Sequence, residues 1–197
     1  DELGLSNAQF GALGSAFFLS YAPLQLVAGW LAQRFDVRYV LASGLIVWAI
    51  ATALVGLVTS FAALLALRLL LGVGESVTYP CNSKLLAQRA PEHQRGRANG
   101  VIAGCQALGP TFGTLVGGLV MVSFGWRAAF VAFGFVSLLW LLPWFIVTRG
   151  GAATGGAQHG APLPYRVLLK KRALWGASLG QFCSTYSYYF VLTWLPL

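Results

Sequence analysis

Residues 39–59 read YVLASGLIVWAIATALVGLVT, and none of these side chains is charged. The segment directly before them, residues 34–38, reads RFDVR and is rich in charge. Because a helix needs roughly 20 apolar residues to cross the hydrocarbon core of a bilayer, residues 39–59 are predicted to span a membrane.

The composition of the whole chain extends this prediction. Of 197 residues, 57% are hydrophobic and 9% are charged, whereas a soluble domain carries about 25% charged residues. So few charges cannot solvate a globule of this size, which leaves lipid as the solvent. The fold class is therefore predicted as all-α, a polytopic bundle of transmembrane helices. The predicted spans are 8–29, 39–59, 62–84, 98–122, 127–148 and 174–197.

The basic residues predict the orientation of these spans. Connections 30–38, 85–97 and 149–173 hold most of the Lys and Arg, whereas the other connections and the N-terminal segment hold Arg127 alone. Since Lys and Arg in short loops stay in the cytoplasm, these three connections are predicted to be cytoplasmic and residue 1 non-cytoplasmic, in a cell (inner) membrane. The net charge of +8 thus follows membrane topology, and no nucleic-acid partner is expected.

Two ionisable residues lie at membrane depth, Arg68 and Glu75, where charges are costly and usually functional. They are seven residues apart, so they share a helix face but stand about 10 Å apart along the axis, too far for a direct pair. Glu75 in a cavity of low dielectric could bind a proton, or it could lock helices together in a structural network. Arg68 either holds a carboxylate or anchors the bundle.

Other polar residues in the apolar spans could contact a solute. Tyr21, Tyr186 and Tyr189 could donate hydroxyl hydrogen bonds, or occupy interfacial positions. Gln106 could bind a substrate or a neighbouring helix. The span 98–122 also carries glycines at four-residue spacing, a pattern that favours close contact between helices. These glycines are Gly96, Gly100, Gly104, Gly109, Gly113 and Gly117.

Chemistry other than transport finds little support in the sequence. No phosphate-binding loop, metal-ligand cluster or nucleophile paired with a base occurs, so no enzymatic activity, cofactor or metal is expected. The three cysteines, Cys81, Cys105 and Cys183, lie in apolar surroundings and are predicted to be small packing residues.

Two motifs resemble those of a known family. Residues 29–38, GWLAQRFDVR, resemble the cytoplasmic loop motif of the major facilitator superfamily, with Gln33 and Asp36 departing from it. Residues 68–80, RLLLGVGESVTYP, resemble the fourth helix of its anion:cation symporter family, which includes sugar-acid permeases. The loop-motif residues singled out are Gly29, Arg34, Asp36 and Arg38.

The resemblance covers the whole chain as helices two to seven of twelve. It implies that residues 1–149 form most of an N-terminal six-helix bundle without its first helix. Residues 150–172 would then be a cytoplasmic linker, and residues 173–197 the first helix of a second bundle. Helix one, expected just upstream of Asp1, and helices eight to twelve are not in this chain.

The resemblance also implies a function, which is proton symport of small organic anions through alternating access by a monomer in the bilayer. Glu75 would couple the proton, and Arg68 would support the binding site electrostatically. Tyr21, Gln106 and polar residues of the seventh helix would line the substrate cavity. Three alternatives share the scaffold: a sodium-coupled carrier, an uncoupled facilitator or drug exporter, and a membrane sensor that transports nothing.

Overall fold

Helices form the secondary structure of residues 6–149, 167 and 169–194, which are the residues that this computed structural model describes. The predicted all-α fold is confirmed over these residues. The helices are α1 Asn7–Arg34, α2 Val37–Val55, α3 Phe61–Glu75, α4 Thr78–Arg89, α5 Glu92–Leu138, α6 Leu141–Thr148 and α7 Arg172–Trp194. Residues 1–155 form one unit, which holds α1–α6, and residues 156–197 form a second, which holds α7. Most of the predicted linker 150–172 lies outside the described residues.

Four helical segments are long and apolar enough to cross a membrane: Asn7–Arg34, Val37–Val55, Phe61–Arg89 and Glu92–Thr148. The last has 57 residues, more than twice the length that crosses a hydrocarbon core of roughly 30 Å. It therefore has room for both the fourth and the fifth predicted spans. Helix α7 matches the sixth predicted span but is not among the four, because its Gln, Ser, Thr and Tyr residues lower its hydropathy.

Gly125 divides the long segment. Its backbone has φ 79° and ψ 161°, a conformation that is essentially restricted to glycine. The chain reverses there, since a Cβ placed on Gly117 would lie 3.7 Å from Phe133 Cε2. Helix α5 thus consists of a first segment, 92–124, and a second segment, 126–138. Gly125 lies between the predicted spans 98–122 and 127–148, where a connection is expected.

A second break interrupts the predicted span 62–84 directly after Glu75. Helix α3 ends at that residue and α4 begins at Thr78, with Ser76 and Val77 in a buried bend between them. Helical hydrogen bonds continue on both sides, from Ser76 N to Gly72 O at 3.1 Å and from Cys81 N to Val77 O at 3.0 Å. Ser76 and Val77 both keep right-handed helical backbone angles, so the helical segment Phe61–Arg89 is nearly continuous.

Two apolar clusters form the core of the first unit. One includes Ala32, Leu41 and the fully buried Cys81, and the other includes Leu13 and Leu64. The predicted packing role is confirmed for Cys81, whereas Cys105 and Cys183 are exposed. Many large apolar side chains on the helices are exposed as well, as lipid contact requires.

Glycines allow the closest helix crossings, but at positions other than the six predicted in and beside span 98–122. A Cβ on Gly72 would lie 2.6 Å from Phe17 O of α1, and one on Gly74 would lie 2.6 Å from Trp48 N of α2. A Cβ on Gly134 would lie 2.7 Å from Ala49 O, where α5 crosses α2. Of the six predicted glycines only Gly117 meets another atom within 4 Å, among the residues that the structure describes. The close contacts thus surround α3 and the second segment of α5.

Candidate functional site

Glu75 lines a cavity of about 350 Å³ inside the first unit. Glu75 is the last residue of α3, directly before the turn at Ser76 and Val77. One wall is apolar and consists of Leu41, Leu45 and Trp48 of α2, with Trp140 adjoining it. A half-buried carboxyl group thus faces a cavity within helices long enough to cross a membrane.

Three neutral polar side chains share this cavity with Glu75. Thr78 and Asn82 follow it at intervals of three and four residues, which places all three on one face. Ser137 of α5 completes the polar lining, and its hydroxyl donates to Gly134 O at 2.7 Å. Glu75 is the one ionisable residue among the described residues that line the cavity. The site therefore offers a single exchangeable charge together with hydroxyl and amide groups.

Arg68 lies two helical turns before Glu75 and does not line this cavity. The two residues form no salt bridge with each other, as their predicted axial separation requires. The turn of α3 after Arg68 packs on α1, where Ser20 Oγ donates to Leu69 O at 2.8 Å.

The remaining predicted substrate residues lie at separate places. Tyr21 stacks on Phe17 of α1 at a centroid distance of 5.1 Å and adjoins α3 at Gly72. Gln106 is exposed on the first segment of α5. Tyr186 and Tyr189 belong to α7 in the second unit, where Tyr186 stacks against Phe182 and Phe190. Their roles in substrate binding stay predictions.

Thr78, Asn82 and Ser137 were missed by the sequence analysis. The spacing from Glu75 could have identified Thr78 and Asn82, because residues three and seven positions apart lie on the same face of a helix. Ser137 belongs to another span, and no spacing rule relates it to Glu75. Within the described residues, no group of three or more His, Cys, Asp or Glu could hold a metal ion.

The loop motif is ordered by Asp36 and Arg38. Asp36 caps α2 by accepting a hydrogen bond from Arg38 N at 2.9 Å, and Arg38 Nη2 reaches Asp36 Oδ2 at 2.6 Å. Arg34 stacks over Trp30 at 5.5 Å, whereas Gly29 has no close neighbour that a Cβ would meet. Asp36 thus pairs inside the loop, where the family motif would have glycine.

These contacts give the Asp36 carboxyl group a pH-dependent effect on stability. The hydrogen bond from the Arg38 side chain holds the pKa of Asp36 below its ordinary value. Because this pKa is lowered in the folded state, the stabilising contribution of the ionised form is fully present above the ordinary value of about 4. It is lost as the pH falls through the lowered pKa.

The loop motif lies at one end of the bundle, where hydrogen bonds connect four helices. We call this end the basic end and define it by five residues: Arg34, Arg38, Lys84, Arg89 and Arg149. Arg38 Nη1 donates to Thr148 O of α6 at 3.0 Å, and Trp144 Nε1 of α6 donates back to Arg38 O at 3.2 Å. Lys84 of α4 donates to Ala32 O near the end of α1. Hydrogen bonds from side chains to backbone carbonyls therefore connect the helices at this end.

Replacement of Trp144 by Phe is expected to lower the free energy of unfolding by about 1 kcal/mol, because one part-buried hydrogen bond is lost. Trp140 supplies a matched control, since it stacks on Trp144 at 4.8 Å and forms no hydrogen bond through its indole in the described part of the chain. Thermal unfolding in detergent should show a smaller loss for Trp140→Phe. Equal losses would mean that ring packing, not the bond to Arg38, determines the effect.

Comparison with known proteins extends this description. The sequence pattern of the Major Facilitator Superfamily matches residues 1–197. The chain is 32% identical to the probable sulfoacetate transporter of Cupriavidus necator, over 100% of this chain and 49% of that protein. It is 29% identical to the probable L-galactonate transporter of Escherichia coli, over 100% and 47%. It is 27% identical to the hexuronate transporter of Bacillus subtilis, over 100% and 49%. The chain thus spans about half the length of these relatives.

Proposed function

The chain belongs to the Major Facilitator Superfamily, and we propose that the protein containing it is a secondary transporter of small organic anions. The observation that carries the proposal is the Glu75 cavity, which places one ionisable group among polar side chains inside membrane-spanning helices. The names of three relatives, which specify sulfoacetate, L-galactonate and hexuronate transport, support a sugar acid or related carboxylate as the solute.

Proton symport is the proposed mechanism. Bringing an anion into a cavity of low dielectric is costly, and a proton that enters with it reduces the net charge that must leave water. Glu75 is the proposed proton acceptor, because it is the ionisable residue of the cavity lining. Arg68, whose guanidinium stays charged, is proposed to balance the charge of the solute from two turns away.

The remaining features of the transporter are also proposals. Tyr21, Gln106, Tyr186 and Tyr189 would hydrogen-bond the solute in alternating access, in which two bundles rock about a site near the midplane. The basic end would face the cytoplasm of a multi-pass protein in the inner membrane. We expect a monomer, without a cofactor.

A pH assay tests the proposal. The full-length protein is reconstituted in vesicles with a pH-sensitive dye in the medium, and sulfoacetate, galactonate, glucuronate and glucarate are added one at a time. Alkalinisation of the medium with one of these anions is expected and would identify the solute. Uptake of a labelled anion without a pH response would instead exclude proton coupling and favour a sodium-coupled or uncoupled carrier.

A further inference from the structure

A second cavity, of about 310 Å³, lies at the basic end between α4 and the start of α5. Its polar lining consists of Asn82, Arg89 and Gln94, and Leu85, Leu86 and Ile102 are among its apolar residues. We call it the Arg89 cavity. Asn82 also lines the Glu75 cavity, so the two cavities share one half-buried side chain as a common wall.

The polar residues of both cavities follow one another along a single helix face. Intervals of three, four and seven residues separate Glu75, Thr78, Asn82 and Arg89. Residues at these intervals lie on the same face of a helix. At 1.5 Å per residue, the distance from Glu75 to Arg89 along the chain axis is about 20 Å. Leu85 and Leu86 lie between Asn82 and Arg89 and also line the Arg89 cavity, so Asn82 is the polar side chain that links the two cavities.

The charge of the Arg89 cavity is opposite to that of the Glu75 cavity. Among the described residues of its lining Arg89 is the one ionisable residue, and Asn82 and Gln94 add amide groups that can donate hydrogen bonds. Arg95 fixes the turn between α4 and α5 by donating to Ala87 O and Ala90 O, both at 3.1 Å. A planar guanidinium beside amide donors suits carboxylate and sulfonate groups.

We propose that the Arg89 cavity binds the carboxylate or sulfonate group of the anion at the basic end, and that the anion passes Asn82 between this site and the Glu75 cavity. The proposal rests on the proposed function for the identity of the ligand. Its geometry depends only on the two cavities and on the side chain that they share.

Thiol labelling tests the proposal with a measurement that does not depend on transport activity. In the full-length protein with Cys105→Ser, Cys183→Ser and every cysteine outside residues 1–197 replaced by Ser, the Asn82→Cys variant is treated from the basic-end side with a sulfonate-bearing methanethiosulfonate reagent. A trimethylammonium reagent of the same length is used in parallel. Cys81 is fully buried and should stay unlabelled in the parent background. The vesicles contain phosphatidylcholine alone, so that anionic lipid headgroups cannot occupy the cavity.

The Arg89→Gln substitution should slow sulfonate labelling of the Asn82→Cys thiol about tenfold and leave the ammonium reagent unaffected or faster, because one nearby positive charge is lost. Arg97→Gln, an equal charge loss at an exposed residue outside the lining, should change the rate less than about twofold. Equal slowing by both substitutions, or no labelling from the basic end, would overturn the proposal.

A second thiol position keeps the proposal testable if the Asn82→Cys variant does not fold. Gln94→Cys lies on the opposite, exposed wall of the Arg89 cavity, and the same dependence on Arg89 is expected there. Since labelling needs no coupled transport, a negative pH assay would refute proton symport and leave this result standing. A positive pH assay without labelling would refute the Arg89 site alone.

Discussion

Replacement of Glu75 by Gln is expected to abolish uptake driven by a pH gradient and to spare exchange of the anion across the membrane. Glutamine has nearly the same shape and keeps hydrogen-bonding capacity, but it cannot bind and release a proton. Net uptake requires the empty carrier to return after the proton leaves, whereas exchange requires only the loaded carrier to reorient. We therefore expect uptake below about a tenth of wild type and exchange within about twofold of it.

The measurement uses proteoliposomes loaded either with buffer, for pH-driven uptake, or with unlabelled anion, for exchange. Glu92→Gln is the matched control, since it removes the same charge from the first turn of α5, outside the cavity lining. The control should retain both activities. Loss of both in the Glu75 variant, with the protein still folded, would indicate a structural role for this carboxyl group.

Glu75 could be selected from the sequence because a charge within an apolar span is rare and needs no partner to be noticed. The same holds for the spans themselves, since hydropathy and length are local properties. The break after Glu75 is different. Ser76 and Val77 are buried there, and a single span does not contain the information on which helices bury them.

Glycine patterns show the same limit more clearly. Four-residue spacing in the span 98–122 predicts a close helix contact, and since Gly100, Gly104 and Gly113 meet nothing within 4 Å in the described part of the chain, that contact stays a prediction. Gly44 and Gly74, which have no such repeat, mark the place where α2 and α3 cross most closely. Spacing identifies a face that permits close approach, but the neighbouring helix decides whether the approach occurs.

Gly74→Ala is accordingly expected to destabilise the protein by about 2 kcal/mol. The added Cβ would lie 2.6 Å from Trp48 N, 2.8 Å from Gly44 O and 3.0 Å from Trp48 Cα. All three are backbone atoms, so no side-chain rotation relieves the overlap and α2 must move away from α3. Overpacking of this kind costs typically 1–3 kcal/mol, which exceeds the helix propensity of up to about 1 kcal/mol that alanine adds.

Gly113→Ala is the matched control, because its Cβ would meet nothing within 4 Å among the residues that the structure describes. There the helix propensity acts unopposed, so the free energy of unfolding should rise by up to about 1 kcal/mol. Unfolding of both variants in mixed micelles by increasing SDS measures the difference, and opposite signs are expected. Because Trp48 and Gly74 also line the Glu75 cavity, the shift of α2 should reduce anion uptake in Gly74→Ala as well. A Gly74 variant as stable as wild type would show that α2 and α3 do not cross as closely as this structure places them.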